Sequence, residues 1–122
     1  MSTRPTAVSV LGELSGVRFR FTDESELQAG IALALDRAGI GYEREKVLSA
    51  ADRPDFMIDG RIAVEVKIKG TLAQALRQVA RYAAHSLVEE IVLVGTPGWM
   101  TRIPPTVAGK PVYSYRLVGS LL

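Results

Sequence analysis

The segment RIAVEVKIK, residues 61–69, constrains the fold most, because apolar residues occupy every second position. A period of two is typical of a β-strand that buries one face, so the charged residues Glu65, Lys67 and Lys69 share the other face. The preceding segment DFMI alternates in the same way. The two segments therefore predict an antiparallel hairpin with one packed face and one charged face.

The connection between these two strands decides their register. A two-residue turn is the usual expectation for the dipeptide Asp-Gly, but it would place apolar residues of one strand opposite the charged face of the other. A three-residue connection over 59–61 instead pairs Ile58 with Ile62 and Phe56 with Val64. Because a slip by one residue turns a whole strand over, the match between apolar faces favours the second register.

Asp55 and Glu65 face each other in this register, with side chains that start roughly 5 Å apart. Lys67 follows two residues along on the same face. Facing carboxylates repel each other, and a divalent cation with oxygen ligands would satisfy both, which Lys67 alone does only in part. The alternative is that these charges are solvated on an open sheet face, with Glu65 and Lys67 as a surface ion pair. The pattern leaves both interpretations open.

The composition is that of one globular domain over residues 1–122, with 48% apolar and 23% charged residues. Cysteine is absent and the one histidine is His85, which excludes disulfides, a thiol nucleophile and the common His/Cys zinc sites. Any metal must therefore be held by oxygen. No apolar run is long enough to span a bilayer and no secretory signal is found, so we expect a cytoplasmic protein without membrane contact. The net charge of +2 does not by itself indicate a nucleic-acid partner.

Two helices are predicted on either side of the hairpin. Asp23 is a suitable N-cap, and Glu26 can complete a capping box, for a helix over 24–39. The second helix is predicted over 72–87. Residues 1–16 show no clear pattern.

Further strands are predicted at VRFRF, YEREKVL, EIVLVG and 112–118. Between the last two, the segment 95–111 contains four prolines and three glycines, which favour a long irregular loop. The order of elements predicts an α/β sandwich around a mixed sheet.

The predicted second helix has a basic polar face. Arg77 and Arg81 are one turn apart and could contact neighbouring phosphates of a nucleic acid, and Lys69 extends this basic surface. The alternative is an ordinary solvated helix face. His85 also lies there and is better explained as incidental than as catalytic. The apolar stripe expected to face the sheet consists of Leu72, Leu76, Val79, Ala80, Ala83 and Leu87.

Trp99 and Arg102 fall within the predicted loop. They could stack on a base or act as a wedge at a DNA junction. Alternatively, Trp99 is buried against the domain itself or against a second subunit. The sequence leaves both alternatives open.

The motif formed by Pro54, Asp55, Glu65 and Lys67 resembles that of the PD-(D/E)xK nuclease superfamily. RPDF precedes EVK, and nine residues separate Asp55 from Glu65. The predicted order of a helix, three strands, a helix and a strand is similar to the family core. The resemblance covers about residues 22–95 and is strongest to compact stand-alone nucleases of phage and bacterial genomes, including relatives of the VRR-Nuc group.

The segment QVARY is similar to the QxxxY motif of one large branch of this superfamily, with Gln78 and Tyr82 in the motif positions. The first predicted helix offers an acidic residue, Glu24, on the face that points toward the sheet. Acidic residues in the first turn of a helix are also favoured by the helix dipole, so this position has a structural explanation too. Glu26 competes for the same role, but the capping box already explains it.

The resemblance implies a restriction-endonuclease-like αβββαβ core that hydrolyses DNA phosphodiester bonds with Mg²⁺ or Mn²⁺. Asp55 and Glu65 would bind the metal together with the backbone carbonyl of Val66. Glu24 would bind it through water or serve a second ion. Lys67 would orient or activate the attacking water.

DNA junctions, flaps and ends are the candidate substrates, and the analogy with small relatives leads us to expect a homodimer. One alternative is a nuclease-like fold that binds nucleic acid or takes part in an assembly without hydrolysis. Another is an unrelated α/β interaction protein. Mg²⁺-dependent product formation separates the nuclease from both alternatives.

Overall fold

The computed structural model describes residues 4–118. Within them, three α-helices and a six-stranded mixed sheet form an α/β fold, so the predicted fold class is confirmed at this level. In chain order the elements are α1 (Ala7–Ser15), α2 (Glu24–Arg37), β1 (Tyr42–Arg44), β2 (Phe56–Ile58), β3 (Ile62–Lys67), α3 (Leu72–Ala83), β4 (Glu90–Gly95), a 3₁₀ helix (Gly98–Arg102), β5 (Thr106–Val107) and β6 (Lys110–Arg116).

The strands are ordered β1-β2-β3-β4-β6-β5 across the sheet. The first three are antiparallel neighbours, whereas β3, β4 and β6 run parallel to one another. Their carboxyl ends therefore meet at one edge of the sheet, where Lys67 pairs with Gly95 and Gly95 with Arg116. We call this the carboxyl edge.

The predicted hairpin register is confirmed. Phe56 pairs with Val64 and Ile58 with Ile62. Asp59 and Gly60 turn the chain with positive φ angles of 54° and 68°. The apolar matching of the two faces therefore decided the connection, in preference to the shorter Asp-Gly turn.

Each face of the sheet carries its own apolar core. Helices α1 and α2 cover one face, where the even-numbered residues of β2 and β3 are buried. Helix α3 and the 3₁₀ helix cover the other face, which contains Met57, Ala63 and Leu93. The charged residues of the hairpin belong to this second face. Glu65 is therefore buried under the helix, whereas Lys69 remains exposed to solvent.

Helix α1 lies where the sequence shows no clear pattern. It begins at a capping box in which Thr6 Oγ1 accepts from the Ser9 amide and Ser9 Oγ accepts from the Thr6 amide. Ala7, Val10 and Leu14 face the core. With nine residues, its stability depends on this packing more than on local propensity.

The predicted strand VRFRF is not part of the sheet ladder, apart from an isolated bridge at Phe21. Its alternation is nevertheless real, because Phe19 and Phe21 are buried and Arg18 and Arg20 are exposed. The segment YEREKVL is a strand only as far as Arg44. Glu45 ends it with a positive φ of 50°.

Helix α2 begins where it was predicted to begin, but it ends at Arg37, two residues earlier than predicted. Its capping box is only half formed. Asp23 accepts from the Glu26 amide, but the Glu26 carboxylate accepts from Thr22 instead of from the Asp23 amide.

Helix α3 ends at Ala83, earlier than predicted, and its buried face is rotated from the predicted stripe. The buried residues are Ala75, Val79, Tyr82 and Ala83, whereas Ala80 is exposed and Leu87 lies outside the helix with 55% of its surface exposed. The hydrogen bond of Tyr82 to the sheet, described below, explains why a tyrosine and not Ala80 turns inward.

The prediction of an irregular loop over 95–111 was wrong. The segment contains the 3₁₀ helix, β5 and the first residues of β6. Two of its prolines lie outside the β4–β6 ladder: Pro97 precedes the 3₁₀ helix, and Pro111 comes one residue before β6 joins β4. No helix within residues 4–118 is long and apolar enough to cross a membrane.

Candidate metal centre and the adjacent cleft

Asp55 and Glu65, the acidic pair, lie next to each other at the start of β2 and within β3. Each carboxylate accepts a hydrogen bond from the opposite strand: Asp55 N donates to Glu65 Oε1 at 3.2 Å, and Val66 N donates to Asp55 Oδ2 at 2.7 Å. The hairpin backbone therefore sets the position of both carboxylates. The predicted juxtaposition of the two acids is present in the structure.

Burial of the acidic pair concentrates negative charge. Glu65 is only 6% exposed. Burial, and then the negative charge of Glu65, raise the pKa of Asp55 to about 7. Burial also raises the pKa of Glu65. The pair thus resists full ionisation unless positive charge is brought to it.

Lys67 and Tyr82 both contact Glu65. Lys67 Nζ lies 3.3 Å from Glu65 Oε2, and the Tyr82 hydroxyl donates to Glu65 Oε1 at 2.8 Å. Burial and the neighbouring Glu65 raise the pKa of Tyr82, so its hydroxyl keeps its proton and acts as a donor. Asp55 Oδ1, by contrast, accepts no hydrogen bond from the described part of the chain.

Gly95 lets β4 lie close to the end of β3 at Lys67. A Cβ at this position would lie 1.8 Å from the Lys67 carbonyl oxygen. Only glycine allows β4 to approach β3 this closely. The next residue, Thr96, donates its amide to the same carbonyl at 3.1 Å.

Glu24, at the first position of α2, is close enough for its negative charge to contribute to the raised pKa of Asp55. However, no three Asp, Glu or His side chains within residues 4–118 form a group that could hold a metal ion. Glu24 therefore acts on Asp55 through its charge and is not part of a three-residue ligand group. Arg44 links the two elements, because it donates to Gln28 on α2 at 2.7 Å and to the Asp55 carbonyl at 3.2 Å.

Gln78 lies one turn before Tyr82 on α3. Its Oε1 atom is buried and has no hydrogen-bond partner among the described residues. A buried carbonyl without a donor costs about 1–3 kcal/mol. A hydrogen bond to this oxygen would have to come from a water molecule or from another donor outside the described residues.

The donor set suits a hard divalent cation. Ionised Asp55 and Glu65 offer oxygen ligands. Val66 follows Glu65 in β3 and donates its amide to Asp55, and its backbone carbonyl is a further oxygen donor. Burial and the charge of Glu65 raise the pKa of Asp55 although Lys67 acts in the opposite direction. The orphaned Gln78 carbonyl is consistent with a water held nearby.

Asp52 was missed by the sequence analysis. It is 5% exposed and is bound by Arg81 Nε at 2.8 Å, by His85 Nε2 at 3.2 Å and by Ser49 Oγ at 3.2 Å. Burial alone would raise the pKa of Asp52, but the hydrogen bonds from Arg81 and His85 hold it below its ordinary value.

Asp52 fastens the loop before β2 to helix α3. Asp55 lies only three residues beyond it on the same loop. His85, which was interpreted as incidental, has a structural role in this contact. Arg81 and His85 lie 29 and 33 residues from Asp52 along the chain, so no local pattern could have indicated the contact.

A cleft of about 360 Å³ adjoins the acidic pair at the carboxyl edge, between α3 and the 3₁₀ helix. Its cationic lining residues are Lys67, Lys69, Arg77 and Arg81. Lys69 and Arg77 are exposed, as the predicted nucleic-acid contacts require. Arg81 binds Asp52 through its Nε, and its side chain remains 48% exposed.

Trp99 forms a wall of this cleft. Its indole N–H donates to the Gly70 carbonyl at 2.9 Å, and the ring packs partly against the apolar core on the α3 face. The ring is therefore anchored against the domain, as one of the two alternatives predicted, and it also lines the cleft. Arg102 is exposed at the end of the 3₁₀ helix and is not among the cleft residues.

No protein-family model matches the chain, and neither a curated protein nor a solved structure matches it significantly.

Proposed function

We propose that the protein is a Mg²⁺-dependent DNA nuclease of the PD-(D/E)xK type. The observation that carries this proposal is the acidic pair: Asp55 and Glu65 from neighbouring strands lie side by side, Glu65 buried and Asp55 half-buried, with Lys67 Nζ 3.3 Å from Glu65. A structural ion pair needs one acid and one base. Here two acids share one lysine, and this arrangement suits a site completed by a divalent cation.

The order of the elements supports the finer assignment of the fold. Helix α2, the meander β1-β2-β3, helix α3 and strand β4 follow one another in the order of a restriction-endonuclease-like αβββαβ core. The acidic pair lies on the meander, and Tyr82 of the QVARY segment contacts it from α3. Helix α1 and the strands β5 and β6 would be additions to this core.

The residues of the chain divide the work of phosphodiester hydrolysis as follows. Asp55 and Glu65, with the Val66 carbonyl, would hold Mg²⁺, and Glu24 would act through water. The chemistry supplied by bound Mg²⁺ is neutralisation of charge on the phosphate and a lower pKa for a bound water. Lys67, with its side chain 24% exposed, presents a cation where the attacking water and the phosphate would meet.

Tyr82 and the Asp55 amide both bind Oε1 of Glu65, so Oε2 of this carboxylate faces Lys67. Gln78 offers its unpartnered carbonyl as an acceptor for a water. Arg44 fixes the backbone of Asp55 from the other side. These contacts pre-organise the centre before substrate arrives.

The alternative is a nuclease-like fold that binds nucleic acid, or takes part in an assembly, without hydrolysis. One observation favours it: the Lys67 ammonium group is already engaged by Glu65 in the absence of substrate. Both proposals predict DNA binding. Only product formation separates them.

The test is incubation of purified protein with Mg²⁺ or Mn²⁺ and a panel of single-stranded, linear, flapped and four-way DNA. We expect cleavage that a chelator abolishes. Lys67→Ala and Asp55→Asn should lose at least about a hundredfold in rate while they keep the circular-dichroism spectrum of the wild type. Unchanged cleavage by Lys67→Ala would refute the assignment, and metal binding without any product would favour the alternative.

Glu43 and Lys46 supply matched controls. They form an ion pair near the end of β1, with an N–O distance of 3.7 Å and side chains that are 65% exposed for Glu43 and 30% exposed for Lys46. Glu43→Gln removes a carboxylate, and Lys46→Ala removes an ammonium group, without contact to the acidic pair. Both variants should cleave at the wild-type rate.

A further inference from the structure

We infer that the cleft between α3 and the 3₁₀ helix binds one unpaired nucleotide of single-stranded DNA, with its base stacked on Trp99. This inference rests on the proposed nuclease function for its choice of polymer. It goes further in that it assigns the cleft to a strand whose base is free, and not to an intact duplex. Four observations lead to it.

The first observation is the charge of the cleft. Its lining contains four cationic side chains and no carboxylate. Lys69 and Arg77 form no ion pair within residues 4–118, and Arg81 uses only its Nε on Asp52. A concave surface with this charge attracts an anion such as the phosphate of a nucleotide.

The second observation is the position of the indole ring. Trp99 donates its only N–H to the Gly70 carbonyl, so it has no donor left for the edge of a base. The same hydrogen bond ties the 3₁₀ helix to the turn between β3 and α3, which fixes the ring. A fixed aromatic ring without a free donor can bind a base only by stacking, which tolerates every base.

The third observation is the size of the cleft. A volume of about 360 Å³ lies at the lower end of the range for ligand pockets. This space is large enough for one nucleotide. A base that is stacked inside a duplex has no free face to offer to Trp99, so the nucleotide must be unpaired.

The fourth observation is the distance to the proposed chemistry. Lys67 lines the cleft and also contacts Glu65 of the acidic pair. A nucleotide in the cleft would therefore place one of its phosphates beside the proposed metal centre. Single strands, frayed ends and flaps meet this requirement, whereas uninterrupted duplex does not.

The chain has one tryptophan, so its fluorescence reports directly on the cleft. In chelator, which prevents cleavage, the protein is titrated with a single-stranded oligonucleotide, with the same oligonucleotide made of abasic sites, and with the blunt duplex. We expect the normal single strand to quench the indole fluorescence, the abasic strand to bind without quenching, and the duplex to bind at least about tenfold more weakly. Equal quenching by normal and abasic strands, or preference for duplex, overturns the inference.

Variants separate stacking from charge, with affinities measured by fluorescence anisotropy of labelled DNA. Trp99→Ala should weaken the binding of the normal strand about tenfold and that of the abasic strand less than about twofold, whereas Trp99→Phe retains a ring and most of the affinity. Arg77→Ala should weaken both strands alike, because it contacts phosphate. Loss of the same factor with both strands in Trp99→Ala overturns the inference. Since Trp99 also contacts the core, the wild-type quenching and Trp99→Phe decide the matter if Trp99→Ala does not fold.

The outcome is independent of the proposed hydrolysis. Base-dependent quenching without Mg²⁺-dependent cleavage would leave the nucleotide site in place and refute the nuclease. Cleavage without base-dependent quenching would support the nuclease and refute the nucleotide site.

Discussion

Tyr82 donates a hydrogen bond of 2.8 Å to Glu65 Oε1 inside the interface between α3 and the sheet. A residue of the helix thereby positions a carboxylate of the proposed metal centre. The contact accounts for the rotated buried face of α3, because the hydroxyl reaches Glu65 only when the tyrosine faces the sheet. It also leads to the first of four predictions.

Tyr82→Phe should weaken metal binding and stability together. The change removes a donor from a buried carboxylate, which costs about 1–3 kcal/mol in the free energy of unfolding. The affinity for Mn²⁺, measured by calorimetric titration, should fall about tenfold, as expected for a residue that orients a ligand. The matched control is Tyr42→Phe, which removes an exposed hydrogen bond to Asp36 and should leave Mn²⁺ affinity unchanged. Equal Mn²⁺ affinities of wild type and Tyr82→Phe would contradict this role.

The free energy of unfolding of the metal-free protein should fall as the pH rises, because Asp55 loses its proton. Its pKa is about 7 in the folded protein, against an ordinary value of 3.8 for an aspartic acid in water, so folding favours the protonated acid. The stabilisation is complete below pH 3.8 and is lost as the pH rises through 7. A shift of this size corresponds to at most about 4 kcal/mol, and partial exposure of Asp55 reduces the expected loss to about 1–2 kcal/mol.

Urea unfolding in chelator, over a range from about pH 5 to about pH 8 that brackets this pKa, measures the effect. Asp55→Asn should flatten the pH dependence and be more stable than the wild type at the upper end. Mg²⁺ should stabilise the wild type there and leave Asp55→Asn unaffected. An identical pH slope in both proteins would show that Asp55 is not the responsible group.

Asp52→Asn should loosen the loop that carries Asp55. The substitution removes the charge that binds Arg81 and His85, and we expect a loss of about 1–3 kcal/mol in stability. Because the pKa of Asp52 is lowered on folding, its stabilising effect is present at neutral pH and is lost as the pH falls through that pKa. Mn²⁺ affinity should fall about tenfold, although Asp52 is no ligand.

The control for Asp52 is Asp59→Asn. Asp59 also pairs with arginines, at 2.8 Å to Arg4 and 3.0 Å to Arg61, but it lies at the turn of the hairpin, away from the acidic pair. Its positive φ of 54° is one that asparagine adopts readily. A drop in Mn²⁺ affinity as large as that of Asp52→Asn would count against a specific effect of the loop.

Gly95→Ala should destabilise the protein by more than about 2 kcal/mol, because the new methyl group would overlap the Lys67 carbonyl. Thermal unfolding measures the loss. Gly12→Ala is the matched control, since nothing lies within 4 Å of a Cβ at that position of α1. Alanine in a helix interior should there raise stability by about 0.5–1 kcal/mol. A thermally unaltered Gly95→Ala would mean that β3 and β4 can separate without cost.

Those parts of the fold that depend on local periodicity could be predicted from the sequence. The pairs Phe56 with Val64 and Ile58 with Ile62 follow from apolar matching, and the positions of Asp55 and Glu65 follow from that register. Helix α2 could be predicted because its N-cap and its apolar spacing agree. The closeness of Lys67 to Glu65 follows from the two-residue period of a strand.

The remaining features depend on partners far apart in the chain. Tyr82 turns inward because of Glu65, 17 residues away. Asp52 is bound by Arg81 of α3 and by His85 beyond the end of that helix, and the sequence around Asp52 gives no sign of these contacts. The requirement for glycine at Gly95 comes from the backbone of another strand. Helix α1 is too short for its pattern to stand out, and it is held by the core it covers.

The two outermost strands limit how copies of this chain could associate. Strand β1 has only three residues, so this border of the sheet offers a short row of free amide and carbonyl groups. Strand β5 pairs only with Lys110 and Pro111 of β6, so beyond Val112 strand β6 has β4 as its one partner strand within residues 4–118. Strand addition by a second copy would therefore have to start along the second half of β6.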